Sequence, residues 1–304
     1  MKIIPPIIMT DAIFTSSNVT EPSTGAAVEI AWVSGTTYAI GDVRSYSTTN
    51  SHRIYKRLTA SAGTITPLLD GTNWLDIGSN NKWNMHDQSV QSQTINAISI
   101  ANSYAIVGRC NSVGFLNMDC ASVTVSMVDS NDGTVYNKTI SMVSDSGINN
   151  WYSYFTEPIV RKTDYVLTDL PAYANATVNV TISAPAGTAK CGAVILGIFK
   201  DVGATQYGTK VGITSYDVKT QDAFGNYTVT KRGYRKTGDF TLMVPGSYTD
   251  QLQIFLTNLR STPTLYIGSD SYASTIIYGF FGDFSQTIPY PTMSLCTINI
   301  QGLT

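Results

Sequence analysis

The sequence predicts an all-β protein, and three observations carry that expectation. Asp, Glu, Lys and Arg make up only 13% of the chain, against about 25% in an ordinary soluble domain. Ser, Thr, Asn and Gly take their place, and together with 18 tyrosines they suit turns and pleated, half-buried surfaces. Helix formers are scarce, with Glu21, Glu29 and Glu157 the only glutamates. At 304 residues more than one core is expected, since single cores stop growing at roughly 250–300 residues. The expected architecture is a small aromatic-rich β-domain followed by two β-sandwich-like domains.

Residues 1–27 read as an extended arm. Pro5-Pro6 interrupts regular pairing, and 16–27 is rich in Ser, Thr, Pro and Gly. Such an arm either reaches a neighbouring subunit or serves as a loose lead-in. Residues 28–80 form the aromatic unit, punctuated by Ser34-Gly35, Gly41-Asp42 and Asp70-Gly71. Some fifty residues bury little aliphatic area, so large rings must carry its core or form a binding face.

From 81 to 200 a β-sandwich is expected. Val123, Val125 and Met127 alternate with Ser122, Thr124 and Ser126, the period of a strand with one wet face. Asp132-Gly133 marks a hairpin tip, with a returning strand at 134–142. Val178, Val180 and Ile182 share a face, and 193–199 reads as a fully buried strand. From 201 to 304 the grammar restarts, with strands expected at 212–219, 227–234, 240–244, 252–258, 264–267, 276–283 and 293–301. This is a second sandwich-like unit or the continuation of a large one.

A net charge of −2 supplies no basic face for phosphates, so no nucleic-acid partner is expected. The basic run from Lys231 to Lys236 reads as a solvated strand end. No stretch approaches the roughly 20 apolar residues that span a bilayer, and the proline-broken N-terminus lacks the pattern of a secretory signal. The expectation is a soluble protein, without membrane insertion, made in a cytoplasm. Cys110, Cys120, Cys191 and Cys296 fit no metal-ligand spacing. Reduced thiols are favoured, although a Cys110–Cys120 bridge is open if the two lie on facing strands.

Catalytic machinery is not evident. Only His52 and His86 could serve as imidazole bases, and neither adjoins a nucleophile motif; one is read as solvated and one as structural. Most aspartates sit in turns, and none is marked as half of a glycosidase pair. No cofactor or metal site is expected.

Trp32, Tyr38-Ala-Ile-Gly41-Asp42-Val43, Tyr46, Tyr55, Pro67 and Trp74 together resemble the small chitin-binding-type carbohydrate-binding modules. The resemblance implies surface rings that stack on sugars, here Trp32, Tyr46, Tyr55 or Trp74. Asn50-Ser-His-Arg53 departs from that pattern. The segment Asn81-Lys82-Trp83-Asn84-Met85-His86-Asp87 with Ser92-Gln93-Thr94 resembles a signature of tailed-bacteriophage virion proteins, in which a carbohydrate-module-like segment precedes a long β-rich body. Asp222-Ala-Phe224-Gly225-Asn226, Tyr278-Gly279-Phe280 and Gln301-Gly302-Leu303 are similar to the closing β-domain of that family. His86 and Lys82 replace an aromatic and an arginine.

The resemblance implies a non-enzymatic structural component of a phage tail, baseplate or tail tip. Such a component assembles in the host cytoplasm as a symmetric oligomer, with copies of itself and other tail proteins as partners. A second reading is a receptor-recognition protein that holds host cell-surface glycan on the aromatic unit. A third is a glycan depolymerase.

Overall fold

A computed structural model of the chain describes residues 1–144 and 148–303. The protein is mostly β, with 51% of residues in strands and 8% in helices.

The alternating segment at 122–128 pairs as expected. Ser122–Asp129 lies between Gly133–Ser141 and Thr177–Cys191. Thr94–Ala105 and Phe14–Ser17 complete a five-stranded antiparallel sheet. Its inner face carries Ile100, Tyr104, Val123, Val125, Met127, Val178, Val180 and Ile182, all buried. Facing it is a three-stranded sheet of Tyr165–Leu167, Ser112–Leu116 and Ala193–Gly197. Both of the latter two strands are buried along their whole length, because this sheet is covered on both sides. Val113, Phe115, Val194 and Leu196 face the five-stranded sheet. Leu116, Ala193 and Ile195 turn to the other side and meet Leu265, Ile267, Ile276 and Tyr278.

Those last residues belong to an eight-stranded sheet built mainly from 200–302. Its long strands Tyr234–Pro245, Ile276–Thr287 and Met293–Gly302 are adjacent and antiparallel. The segment expected as a strand at 252–258 is instead the α-helix Thr249–Asn258. Leu252, Ile254 and Leu256 mimic a strand's period of two. The spacing that is actually buried is Leu252, Leu256 and Leu259, while Ile254 is exposed, as a helix with one apolar stripe requires. The helix packs on Phe240, Leu242, Val244 and Ile298. Residues 201–304 therefore do not supply two facing sheets of their own. They continue the sandwich as a further layer, with the helix closing the stack.

The arm expected at 1–27 does not stand free. Lys2–Ile4 is inserted between Lys200–Asp201 and Thr264–Ile267 in the eight-stranded sheet, and Ile3 and Ile4 are buried. Pro6 bridges to Gly197, whose ideal Cβ would lie 2.3 Å from the Pro5 carbonyl oxygen. Proline ends the pairing but does not keep the chain off the body. Phe14–Ser17 then joins the other sheet beside Thr94–Ala105. One N-terminal segment thus stitches both outer layers. The four cysteines are unbridged and buried; burial raises the Cys110 thiol and pushes Cys120 up to about 11.

Candidate functional site

The aromatic unit consists of a three-stranded sheet, Val43–Thr48, Ser51–Arg57 and Trp74–Ser79, and a short pair, Thr36–Tyr38 with Ser61–Gly63. Tyr38, Tyr55 and Trp74 form its core, with Trp32 and Tyr46 packed against them. Trp74 meets Tyr38 edge-on at 5.0 Å between centroids. The buried guanidinium of Arg57 lies 4.9 Å from the Trp74 ring and donates from Nε to the Thr59 carbonyl at 2.8 Å. A cation over an indole face substitutes here for the aliphatic filling that the segment lacks.

Of the four expected sugar-stacking residues, Tyr55 and Trp74 are 3% and 2% exposed, so neither presents a ring face to solvent. Trp32 and Tyr46 are half-buried and meet edge-on at 5.4 Å. Fold and ring placement together leave those two as the part of the set that a ligand could touch.

The segment at 81–87 lies where the aromatic unit meets the sandwich. Asn81 replaces a strand residue there. Its side-chain amide donates to the Ile95 carbonyl at 2.9 Å and accepts from the Ile95 amide at 2.8 Å, while its own backbone N–H donates to Glu29 at 2.6 Å. Trp83 and Met85 are buried in the sandwich core. One of the two histidines was expected to be solvated, but His52 is held in this joint. Its imidazole stacks on Trp83 at 4.2 Å and 10°, with Nδ1 2.6 Å from Glu21 and Nε2 2.7 Å from Asp11.

Glu21 gathers the joint. Ser47 donates to it, Asn80 donates at 2.5 Å, and the Lys82 ammonium lies 3.6 Å away. Burial opposes its ionisation, but the hydrogen bonds from Ser47, His52 and Asn80 outweigh burial and hold the carboxyl below its ordinary value. His86 is structural. Its Nδ1 is buried without a hydrogen-bond partner among the described residues, and burial pushes the imidazole down to about 3. Lys82 is paired with Glu21, and His86 lies in the ring cluster of Phe14, Trp83 and Tyr104.

Sequence reasoning missed a second aromatic set. The helix Trp151–Thr156 projects on a two-stranded ribbon, Val143–Ser144 with Val160–Arg161. A capping box between Asn150 and Ser153 fixes its first turn. Trp151 and Phe155 stack at 6.3 Å, and Tyr154 meets Phe155 edge-on at 5.2 Å. The signal was present as Trp-Tyr-Ser-Tyr-Phe, which places rings at i, i+3 and i+4, but it is dwarfed by the longer run at 32–87.

A groove of about 270 Å³ follows the seam between the three- and eight-stranded sheets, lined among others by Gln91, Gln93, Asn117, Asp164, Lys236 and Tyr278. Lys236 pairs with Asp164 across it. The amides of Gln91, Gln93 and Asn117 donate to the carbonyls of Tyr234, Asn117 and Val90 at 2.8–3.1 Å. These groups are engaged in holding the seam. Among the described residues, no group of three or more His, Cys, Asp or Glu is placed to hold a metal ion. Compared with known protein families and with curated proteins, the chain matches none.

Proposed function

We propose that this protein is a non-enzymatic structural component of a bacteriophage tail, baseplate or tail tip, assembled as a symmetric oligomer among other tail proteins. The observation that carries the reading is the clustering of large apolar side chains on the surface. Besides the rings at 151–155, the hairpin Val218–Gln221 with Tyr227–Thr230 exposes Phe224, Tyr227 and Val229. Contiguous exposed apolar patches mark association surfaces, and tyrosine and tryptophan are favoured there because they bury area while losing little rotamer freedom. Buried, unbridged thiols suit assembly in a reducing cytoplasm. The segment at 81–87 that resembles the phage-type signature forms the joint between two β units. Mass spectrometry of purified virions, with antibody labelling in the electron microscope, tests the proposal. The chain is expected on the tail in a fixed multiple of copies, and its absence from particles made in cells that express it would sink the reading.

A second reading, recognition of host glycan, is favoured by the half-open Trp32–Tyr46 pair. Glycan-array binding that Trp32→Ala abolishes while the fold survives would support it. No binding by the wild-type protein would remove it.

A further inference from the structure

The helix Trp151–Thr156 has six residues, and none of them is buried. Helices this short do not persist in water through propensity; they depend on packing an apolar face. Here the capping box and the ribbon hold the backbone, yet Trp151, Tyr152, Tyr154 and Phe155 remain 78%, 79%, 59% and 77% exposed. Trp151, Tyr154 and Phe155 make ring contacts with one another. Among the described residues, none buries this face.

We infer that this helix is a self-association surface, on which a second copy of the chain seats the same four rings. The inference rests on the oligomeric reading above and names the surface that reading requires. Area is the first argument. An aromatic side chain carries about 150–250 Å², so at these exposures the four rings offer on the order of 600 Å² per copy. Pairing two copies then buries about 1,200 Å², the lower end of a stable specific interface.

Charge is the second argument. An isologous contact sets a patch against itself, so any charge at its centre meets its own kind. The helix residues Trp-Tyr-Ser-Tyr-Phe-Thr carry none. Aromatic rings are complementary to themselves, because the negative face of one accepts the positive edge of another. A charged partner would find nothing in the helix to pair with, whereas a second copy finds an equal surface.

Sedimentation velocity of the full chain across a concentration series tests the inference. Wild type is expected to sediment as an oligomer. The double variant Trp151→Ala, Phe155→Ala is expected to fall to a smaller species, or to dissociate at least about tenfold more readily, as loss of central aromatic anchors does. Tyr152→Lys should act in the same direction by placing like charges across the two-fold axis. Tyr207→Ala, at an exposed ring elsewhere, should leave the oligomer intact. Near-ultraviolet circular dichroism checks that each variant is folded.

An oligomer equally stable in all variants overturns this inference and leaves the tail-protein reading standing. A wild-type monomer at every concentration overturns both. Flotation with phosphatidylcholine vesicles separates the other occupant. If the double variant loses vesicle binding while its oligomer persists, the face belongs to lipid and the inference fails.

Discussion

The imidazole of His52 lies flat on the indole of Trp83, 4.2 Å between centroids and 10° from parallel. One ring comes from the aromatic unit and the other from the segment that enters the sandwich core. Asp11 and Glu21, from the N-terminal segment, grip the imidazole at its two nitrogens. Three separate stretches of chain thus meet on one side chain.

His52→Ala should therefore loosen the aromatic unit while sparing the body. A stability loss of about 1–2 kcal/mol is expected, since Trp83 loses its stacked ring and Asp11 and Glu21 each lose one donor, while Asn50 still donates to Asp11 and Ser47 and Asn80 to Glu21. Hydrogen exchange should rise across 43–79 and stay unchanged across 122–129. Both carboxyls are held below their ordinary values, so the contribution of the joint is complete above the ordinary carboxylate range. It is lost as pH falls through the folded-state values. Uniform exchange across the chain would show that the joint does not act locally.

His86 supplies a second pH dependence of known sign. Its folded value of about 3 lies below the ordinary 6.5, so on acidification the unfolded chain takes up a proton that the folded one refuses. Stability from this group is complete above about pH 6.5 and declines as pH falls towards 3. Between pH 7 and pH 5 the loss should be roughly 1–2 kcal/mol. Urea midpoints of wild type and His86→Phe at the two pH values measure it. An equal slope in both proteins would refute the assignment.

Gly197→Ala should cost about 2–3 kcal/mol by overpacking. The added Cβ would meet the Pro5 carbonyl oxygen at 2.3 Å and the Ile4 side chain at 2.7 Å, and backbone cannot swing aside as a side chain tip can. Gly71→Ala, with nothing within 4 Å, is the matched control. Thermal midpoints that agree for the two would show that 4–6 does not seat against 197.

Trp74→Ala should remove most of the aromatic unit's core. About 3–5 kcal/mol is expected for a buried tryptophan, enough to melt so small a unit. Trp32→Ala, half-buried, should cost far less. Limited proteolysis between 58 and 73 reads the difference. Equal resistance of the two variants would contradict the division into core and face.

The fold was legible wherever burial is one-sided or complete. The alternation of Val123, Val125 and Met127 with Ser and Thr specified a strand and its faces, because only one side meets the core. The unbroken run at 193–199 announced burial on both faces, which the doubly covered three-stranded sheet explains for Ala193–Gly197, while Ile198 lies past the strand and is exposed. Helix 249–258 was misread because Leu252 and Leu256 satisfy either period, and only the exposure of Ile254 decides between them. The insertion of Lys2–Ile4 was invisible, since nothing local in a three-residue strand names a partner at 264–267. The joint was hidden for the same reason: Asp11, Glu21, His52 and Trp83 become neighbours only through the fold. The set of expected sugar-facing rings was implied by the resemblance to carbohydrate-binding modules, but the division into inside and outside depends on strand register.

Lys2–Ile4 pairs on one side with Thr264–Ile267, a strand far along the chain. During synthesis Lys2–Ile4 emerges long before Thr264–Ile267, and until the two meet the backbone edges they share are unsatisfied. When many copies are translated side by side, the waiting strand of one nascent chain meets the vacant slot of another. Exchange of that strand would produce linked protomers with the same hydrogen bonds as the monomer. Slow synthesis and dilute expression should favour the strand's return to its own chain, and crowding should favour the exchange.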